Sequence, residues 1–162
     1  MIQDDFYLSV EADAYFDRWK SKNSDFDGKL RASKKTILQK LEKEDLLSKR
    51  IKVLEVGCFI GDLLYYLKKD YNNDVYGIET SSKACNFCQD NYGLLLENNN
   101  FLRSSYFKFN SKNEKLFDLI IFDDVLSWMS RENILQVIAV TDWILKDDGS
   151  IFLRDFSPSF SF

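Results

Sequence analysis

The stretch "VLEVGCFIGDLL", residues Val53 to Leu64, decides the fold. Its first part is a short apolar run that is typical of a buried strand. Its second part begins at Asp62 and has the residue spacing of a helix. Two glycines, Gly57 and Gly61, lie between these parts. The sequence therefore predicts a strand, a glycine-containing turn and a helix, which is how an α/β domain commonly begins.

Strands and helices alternate from this stretch to the end of the chain. The periodicity predicts strands at residues 51–57, 74–79, 101–106, 117–124 and 150–156, and helices at residues 62–71, 81–93 and 130–146, with a turn at 147–149. Alternating elements imply parallel strands joined by right-handed crossovers. We expect an α/β fold, a Rossmann-like three-layer sandwich whose sheet is mostly parallel.

Two helices are predicted before the first strand. Residues from about Leu30 to Leu47 are amphipathic, with lysines on the polar side. Upstream, an apolar stripe at helical spacing either packs in the core, which is the preferred interpretation, or covers a cleft; it consists of Ala12, Tyr15, Phe16 and Trp19. We expect one structural domain, with a helical segment at 1–50 covering the cleft and a core at 51–162.

The composition restricts the classes of function. The chain of 162 residues is 45% hydrophobic and 30% charged, which is typical of a soluble globular protein. No apolar run approaches the roughly 20 residues that cross a bilayer, and the acidic start does not resemble a signal peptide. The net charge of −4 argues against nucleic acid as the default partner. We therefore expect a cytoplasmic protein that binds neither membranes nor nucleic acids.

The cysteines do not indicate a metal centre. The chain has three cysteines, Cys58, Cys85 and Cys88, and no histidine, so a zinc site would lack its fourth soft ligand. Cys85 and Cys88 have the spacing of a redox pair, but they fall on one face of a predicted helix. We expect them to be core residues and expect no metal.

The glycine pattern disfavours a dinucleotide cofactor. A G-x-G-x-x-G motif beginning at Gly57 needs glycines at positions 59 and 62, where the chain has Phe59 and Asp62. A carboxylate at the start of the helix would also repel a phosphate group at that position. The pattern favours a cofactor that places no phosphate there, and a nicotinamide-dependent oxidoreductase remains the disfavoured alternative.

The same residues resemble the first motif of the class I S-adenosylmethionine (SAM) methyltransferases, an acidic residue followed by G-x-G-x-G. Glu55, Gly57 and Gly61 match, and Phe59 replaces the middle glycine. The resemblance implies that Gly57, Cys58, Phe59 and Gly61 lie against the cofactor, and that Glu55 faces its ammonium group directly or through water. It also implies that an acid at the end of the second strand accepts the ribose hydroxyls, which here is Glu79, followed by Thr80.

Other stretches extend the resemblance over nearly the whole chain. "FDLIIFDDVLSWM" is similar to the family's fourth motif, and "ILKDDGSIFLRDF" to its fifth-strand segment. "FYLSVEADAYFDRW" is similar to the N-terminal piece of a branch associated with polysaccharide and nucleotide-sugar pathways. This branch implies a methyltransferase with a small-molecule, sugar-like acceptor. A SAM-binding module without catalytic activity, or a subunit of a larger assembly, is the alternative.

The chain departs from the family in two places. Where the family commonly has an acid near the adenine amino group, this chain has Ser104 and Ser105. The chain is also shortened after the fifth strand, where the family usually continues with an antiparallel pair. The fifth strand would then be an exposed edge, which could pair with another chain. We therefore expect a homodimer formed through this edge or through the C-terminal tail.

The resemblance leaves the catalytic residues open. Methyl transfer to a hydroxyl needs a base, and with no histidine the candidates are Asp123, Asp124, Tyr15 and Tyr65. Asp123 is also a candidate for cofactor binding. Arg18 could pair with the cofactor carboxylate, and aromatic walls for the sulfonium and the acceptor are expected from Tyr15, Phe16, Trp19 and Trp128.

Overall fold

The computed structural model describes residues 11–105 and 115–155. Within these residues, two helices precede the sheet, and helices then alternate with strands. The elements are α1 (Ala12–Lys22), α2 (Ala32–Lys43), β1 (Lys52–Val56), α3 (Asp62–Tyr71), β2 (Asp74–Glu79), α4 (Ser82–Tyr92), β3 (Glu97–Asn98), β4 (Phe117–Asp123), α5 (Arg131–Ile144) and β5 (Leu145–Arg154). Single turns of 3₁₀ helix lie at Phe101–Arg103 and Leu126–Trp128.

The five strands form one parallel sheet in the order β3-β2-β1-β4-β5. One face of the sheet packs against α2 and α3, and the other packs against α5. Alternate strand residues enter the two cores because successive side chains point to opposite faces. The first core includes Val53, Leu119 and Ile121, and the second includes Leu54, Ile120 and Phe122. The predicted three-layer α/β fold is confirmed.

The third strand does not lie where the periodicity predicts it. Residues 101–103 form a 3₁₀ turn, and the strand is the short segment Glu97–Asn98. The asparagine side chains explain the difference, because they hydrogen bond to nearby backbone groups in place of a strand partner. Asn98 donates to the carbonyl oxygens of Glu79 and Thr80, and Asn100 accepts from the amide of Leu102.

The predicted turn at 147–149 lies inside β5. Leu145 pairs with Phe117 and Ser150 pairs with Leu119, so residues 146–149 form an irregularity opposite a single residue of β4. The strand therefore begins five residues earlier than the sequence pattern predicts. The predicted strand end at residue 156 and the C-terminal tail lie outside the described residues.

The cysteines are placed in the core. Cys58 and Cys88 are buried, Cys85 is half-buried, and all three are free thiols. Burial raises the pKa of both Cys85 and Cys88 to about 12, so neither is a reactive thiolate at neutral pH. Over the described ranges, no group of three or more potential ligands could hold a metal ion. Within the same ranges, no helix is long and apolar enough to cross a membrane.

Gly61 allows α3 and α4 to pack closely. Its φ is +70°, and a Cβ atom at this position would lie 2.5 Å from Sγ of Cys88. Gly93 has a similar φ of +64°, but a Cβ atom there would have no heavy atom of the described residues within 4 Å. We expect Gly61→Ala to lower the free energy of unfolding by about 1–3 kcal/mol more than Gly93→Ala, because only Gly61→Ala overpacks the core.

Urea denaturation of the two variants measures this difference. Both variants carry the cost of a left-handed alanine, so their comparison isolates the clash. Adding Cys88→Ala should reduce the penalty of Gly61→Ala, because the clashing sulfur is then absent. Equal stabilities of Gly61→Ala and Gly93→Ala would contradict the packing argument.

Candidate functional site

A cavity of about 350 Å³ lies at the carboxyl ends of β1, β2 and β4. This is where ligands bind in parallel α/β sheets. Four sections of chain form its walls: α1 with the start of α2, the loop after β1, the end of β2 with the segment after β3, and the loop after β4. The lining residues are Tyr15, Arg31, Ser33, Lys34, Val56, Gly57, Phe59, Ile78, Glu79, Thr80, Asn99, Asn100, Phe101, Asp123, Asp124, Val125, Trp128 and Met129.

The loop after β1 keeps a glycine-like path although it contains a phenylalanine. Phe59 has a φ of +54°, in the left-handed region that glycine adopts most easily. Its ring packs against α1, with ring centroids 5.3 Å from Tyr15 and 5.2 Å from Trp19. Gly57 must be glycine, because its φ is +66° and a Cβ atom would lie 2.8 Å from Cγ2 of Val125. Phe59 therefore replaces the middle glycine and connects the loop to α1.

Glu79 presents a fixed carboxylate at the cavity wall. Its Oε2 accepts a hydrogen bond from the Phe59 amide at 2.8 Å, and its Oε1 accepts one from the Ser81 amide at 2.8 Å. Burial raises the pKa of Glu79, and these amide donors partly offset that effect. Oγ1 of Thr80 also donates to Oε1, at 3.3 Å. An ionised carboxylate has about four acceptor sites, so Oε2 can still accept from a ligand hydroxyl, and Oε1 can accept a second one where that hydroxyl replaces Thr80. This geometry suits a ligand that carries hydroxyl groups.

A buried lysine connects the ends of β1 and β4. Nζ of Lys34 lies 2.6 Å from Oε1 of Glu55 and 2.6 Å from Oδ2 of Asp123, and Nε of Arg154 lies 2.6 Å from Oδ1 of Asp123. Lys34 is only 3% exposed. Burial lowers its pKa, but the two carboxylates outweigh burial and hold the pKa above its ordinary value. The sequence pattern missed this role, because it placed the lysines of α2 on the polar side.

Glu55 lies behind Lys34, outside the cavity lining. Burial raises the pKa of Glu55, and the Lys34 charge opposes that shift. Its second oxygen, Oε2, is buried and has no hydrogen-bond partner among the described residues. The predicted contact between Glu55 and a cofactor ammonium group would therefore pass through a water molecule or require Lys34 to move.

Arg31, and not Arg18, brings a guanidinium to the cavity. Arg18 pairs with Glu11 and lies outside the lining. Arg31 binds Asp62 through Nε at 2.9 Å and Nη2 at 2.6 Å, and its guanidinium carbon lies 5.0 Å from the centroid of the Phe59 ring. Arg31 thus neutralises Asp62, so the predicted repulsion of a phosphate by Asp62 is weaker than the sequence indicated.

Several other predicted site residues lie away from the cavity. Ser104 and Ser105 both donate to Glu97, and Asn99, Asn100 and Phe101 line the cavity instead. Asn99, Asn100 and Phe101 form this wall because the segment after β3 turns at Phe101 instead of continuing as a strand. No pattern in the sequence indicated that they would line the cavity in place of the two serines.

The other predicted site residues that do not line the cavity lie in the core. The Cys58 thiol is buried 3.6 Å from the Ile78 carbonyl oxygen, and Gly61 faces Cys88. Tyr65 stacks on Tyr92 at 4.9 Å. Phe16 and Trp19 pack around Phe59 and do not line the cavity, so the core interpretation fits this part of the stripe.

Three predicted catalytic residues do line the cavity, namely Asp123, Asp124 and Tyr15, and so does Trp128. They are not equivalent. The ion pairs of Asp123 with Lys34 and Arg154 outweigh its burial and hold its pKa below the ordinary value. Asp124 is exposed, with a φ of +54°, and Tyr15 is 41% exposed. Asp124 and Tyr15 are therefore the groups that can reach a second ligand.

Comparisons with known proteins agree with this architecture. A family model described as a methyltransferase domain matches residues 53–149. Phosphoethanolamine N-methyltransferase of Plasmodium falciparum (isolate 3D7) is 28% identical over 133 residues, which are 80% of this chain and 46% of that protein. The chain thus spans about half the length of this curated relative.

Solved methyltransferase structures share the fold. Magnesium protoporphyrin IX methyltransferase from Synechocystis PCC 6803, with bound SAM, superposes with a TM-score of 0.62 at 18% identity, covering 90% of this chain and 73% of that chain. The plantazolicin methyltransferase BpumL, in complex with S-adenosylhomocysteine (SAH), gives 0.60 at 18% identity, covering 93% and 55%. At these identities the likeness shows the fold alone.

Proposed function

The chain belongs to the methyltransferase domain family, and from this premise we propose that it binds SAM and transfers the methyl group to a small-molecule acceptor in the cytoplasm. One observation carries the proposal: the buried Glu79 carboxylate is fixed by two amide donors at the cavity wall, where it can accept hydrogen bonds from ribose hydroxyls. The match over residues 53–149 includes this strand and the glycine turn before it.

The residues of the cavity fit the chemistry of this cofactor. A ribose diol needs an acceptor-only group, which Glu79 supplies. The methionine part carries a carboxylate and an ammonium group, and the cavity offers Arg31 and Lys34 for the first and Asp123 for the second. Gly57 lets the backbone approach the ligand closely. The aromatic rings of Tyr15 and Trp128 suit a sulfonium cation, each by about 0.5–2 kcal/mol.

The cofactor would supply an electrophilic methyl group on a positively charged sulfur. The work of this chain is then to hold the acceptor in line with that methyl group and to exclude water, because methyl transfer is mainly a positioning problem. For a hydroxyl acceptor, the Asp124 carboxylate or the Tyr15 hydroxyl would receive the proton. Asp123 is the weaker candidate, since Lys34 and Arg154 lower its pKa and therefore its basicity.

The first 50 residues act as the cover of the cofactor cleft in this proposal. Four lining residues come from this segment, namely Tyr15, Arg31, Ser33 and Lys34. Residues 51–162 would form the cofactor-binding core. Because both parts contribute to one cavity, we treat them as one structural domain.

A sugar-like acceptor is the more specific form of the proposal. The cavity lining combines the aromatic side chain of Trp128 with polar side chains that can bind hydroxyl groups, namely Ser33, Asn99, Asn100 and Asp124. An amine is the second candidate, because the curated relative is named for N-methylation of phosphoethanolamine and Asp124 could attract a cation.

Calorimetric titration with SAM, SAH and NAD tests the cofactor. We expect SAM and SAH to bind and NAD to give no heat. A methyl-transfer assay with tritiated SAM then compares nucleotide sugars, free sugars and phosphoethanolamine. Turnover of an amine alone would exclude the sugar-like acceptor. SAM binding without turnover of any acceptor would favour the alternative, a SAM-binding module or a subunit of a larger assembly.

We also propose a homodimer through β5, which is an edge strand of the sheet. Ile151 and Leu153 are 51% and 57% exposed. Their register with Ile120 and Phe122 places them on the same face of the sheet as α5, which leaves them exposed. An exposed apolar edge favours pairing with a second strand. Sedimentation velocity should detect a dimer that Leu153→Lys dissociates, and a monomer at high micromolar concentration would contradict the proposal.

A further inference from the structure

We infer that Asp13, in α1, is a positioning residue that holds the Glu79 carboxylate in place for the ribose. It acts through Ser81, whose side chain bonds to Asp13 and whose amide bonds to Glu79. The inference deepens the proposed function and rests on it, because it concerns the same cofactor site.

Asp13 caps the N-terminus of α4 from a different helix. Its Oδ1 accepts from Oγ of Ser81 at 2.7 Å and from the Lys83 amide at 3.2 Å, and its Oδ2 accepts from Oγ of Ser82 at 3.0 Å. A helix N-terminus has unpaired amides and a positive dipole end, so a carboxylate there is stabilised. Burial raises the pKa of Asp13, but these hydrogen bonds outweigh it and leave the pKa below the ordinary value.

Ser81 transmits the position of Asp13 to Glu79. Its hydroxyl donates to Asp13 and accepts from the Ala84 amide at 3.1 Å, so the side chain has one fixed orientation. Its own amide donates to Oε1 of Glu79 at 2.8 Å. A shift of the segment that begins at Ser81 would therefore move one of the two amides that orient the carboxylate.

The second amide that orients Glu79 also lies beneath α1. Phe59 donates this hydrogen bond at 2.8 Å, and its ring packs against Tyr15 and Trp19 of the same helix. Docking of α1 thus constrains both amides that donate to Glu79, one by ring packing and the other by the Asp13 hydrogen bonds. A side chain that binds a ligand must be held within about 0.5 Å of its binding position. Loss of either constraint on Glu79 should therefore weaken ribose binding.

Asp17 provides the matched control. It lies one turn after Asp13 on α1 and also contacts the start of α4, but it pairs only with the exposed Nζ of Lys83 among the described residues. An exposed pair of this kind contributes little to stability, and Asp17 has no contact with Ser81.

The test compares Asp13→Ala, Asp13→Asn and Asp17→Ala by calorimetric titration with SAM. We expect Asp13→Ala to raise Kd about 10-fold, and Asp17→Ala to change it less than twofold. Asp13→Asn keeps one acceptor oxygen and should give an intermediate value. In a Glu79→Ala background, Asp13→Ala should have almost no further effect, since the two residues act in one chain of contacts.

A ribose-specific readout separates positioning from a general loss of structure. The ratio of affinities for adenosine and 2′,3′-dideoxyadenosine should fall in Asp13→Ala and stay at the wild-type value in Asp17→Ala. An unchanged ratio, or an equal loss with and without Glu79, would overturn the inference while leaving the proposed function intact. Failure of the wild-type protein to bind SAM at all would overturn the proposed function, and this inference with it.

Discussion

Glu79→Ala is expected to weaken SAM binding by about 100-fold to 10,000-fold. A hydrogen bond to a charged group contributes about 1.5–3 kcal/mol, and the ribose would offer two of them to this carboxylate. The substitution also leaves the buried amides of Phe59 and Ser81 without their acceptor, so the loop after β1 loses its connection to β2. Calorimetric titration with SAM measures the change, and thermal unfolding without ligand shows whether the variant is folded.

Asp118→Ala is the control for this experiment. Asp118 is also a paired acid of the sheet, but it lies near the amino end of β4, where it accepts from the Lys52 amide and pairs with Lys146. We expect its Kd for SAM to stay within about twofold of the wild-type value, since it is far from the cavity. A folded Glu79→Ala protein with wild-type affinity would contradict the assignment of Glu79 as the ribose acceptor.

The positions of Glu79 and the glycine turn could be predicted from the sequence because they depend on local rules. A strand that ends in a polar residue before a helix places that residue at the carboxyl edge of the sheet, whatever the rest of the chain does. The conformation of Phe59 could not be predicted in the same way. A left-handed backbone is unfavourable for phenylalanine, and here it is maintained by ring packing against α1, which is distant in sequence.

Lys34 shows why the rest of the site could not be predicted. Its partners Glu55 and Asp123 are 21 and 89 residues away in the sequence, so no local pattern marks it as buried. Helical periodicity assigns a lysine to the solvent side by default. Arg31 and Asp62 are similar, being 31 residues apart. Ion pairs between different elements can be identified only when the order of the strands in the sheet is known, because that order brings the strand ends together.

Lys34→Met is expected to lower the free energy of unfolding by about 3–5 kcal/mol, the usual cost of removing one partner from a buried ion pair. Methionine has a similar length and fills the space of the lysine chain, so the loss comes mainly from charge. Glu55 would keep no cation within hydrogen-bond distance among the described residues, and Asp123 would keep only Arg154. Urea denaturation at about pH 7.5 measures the loss.

Lys35→Met is the control, because Lys35 is the exposed neighbour on the same helix. The free energy of unfolding of Lys35→Met should stay within about 0.5 kcal/mol of the wild-type value.

The penalty of Lys34→Met should also shrink as the pH falls towards about 5. In the wild type, the pKa of Asp123 is lowered, so the stability that this group gives is lost only below about pH 4 and does not change between about pH 7.5 and 5. In Lys34→Met, burial of Glu55 without Lys34 raises its pKa further, although Arg31 still opposes this shift and Asp62 reinforces it. A raised carboxyl pKa in the folded state adds stability as the pH falls, so the stability curves of Lys34→Met and the wild type should converge. A penalty that stays constant with pH would mean that lost packing, and not the unpaired carboxylate, causes the destabilisation.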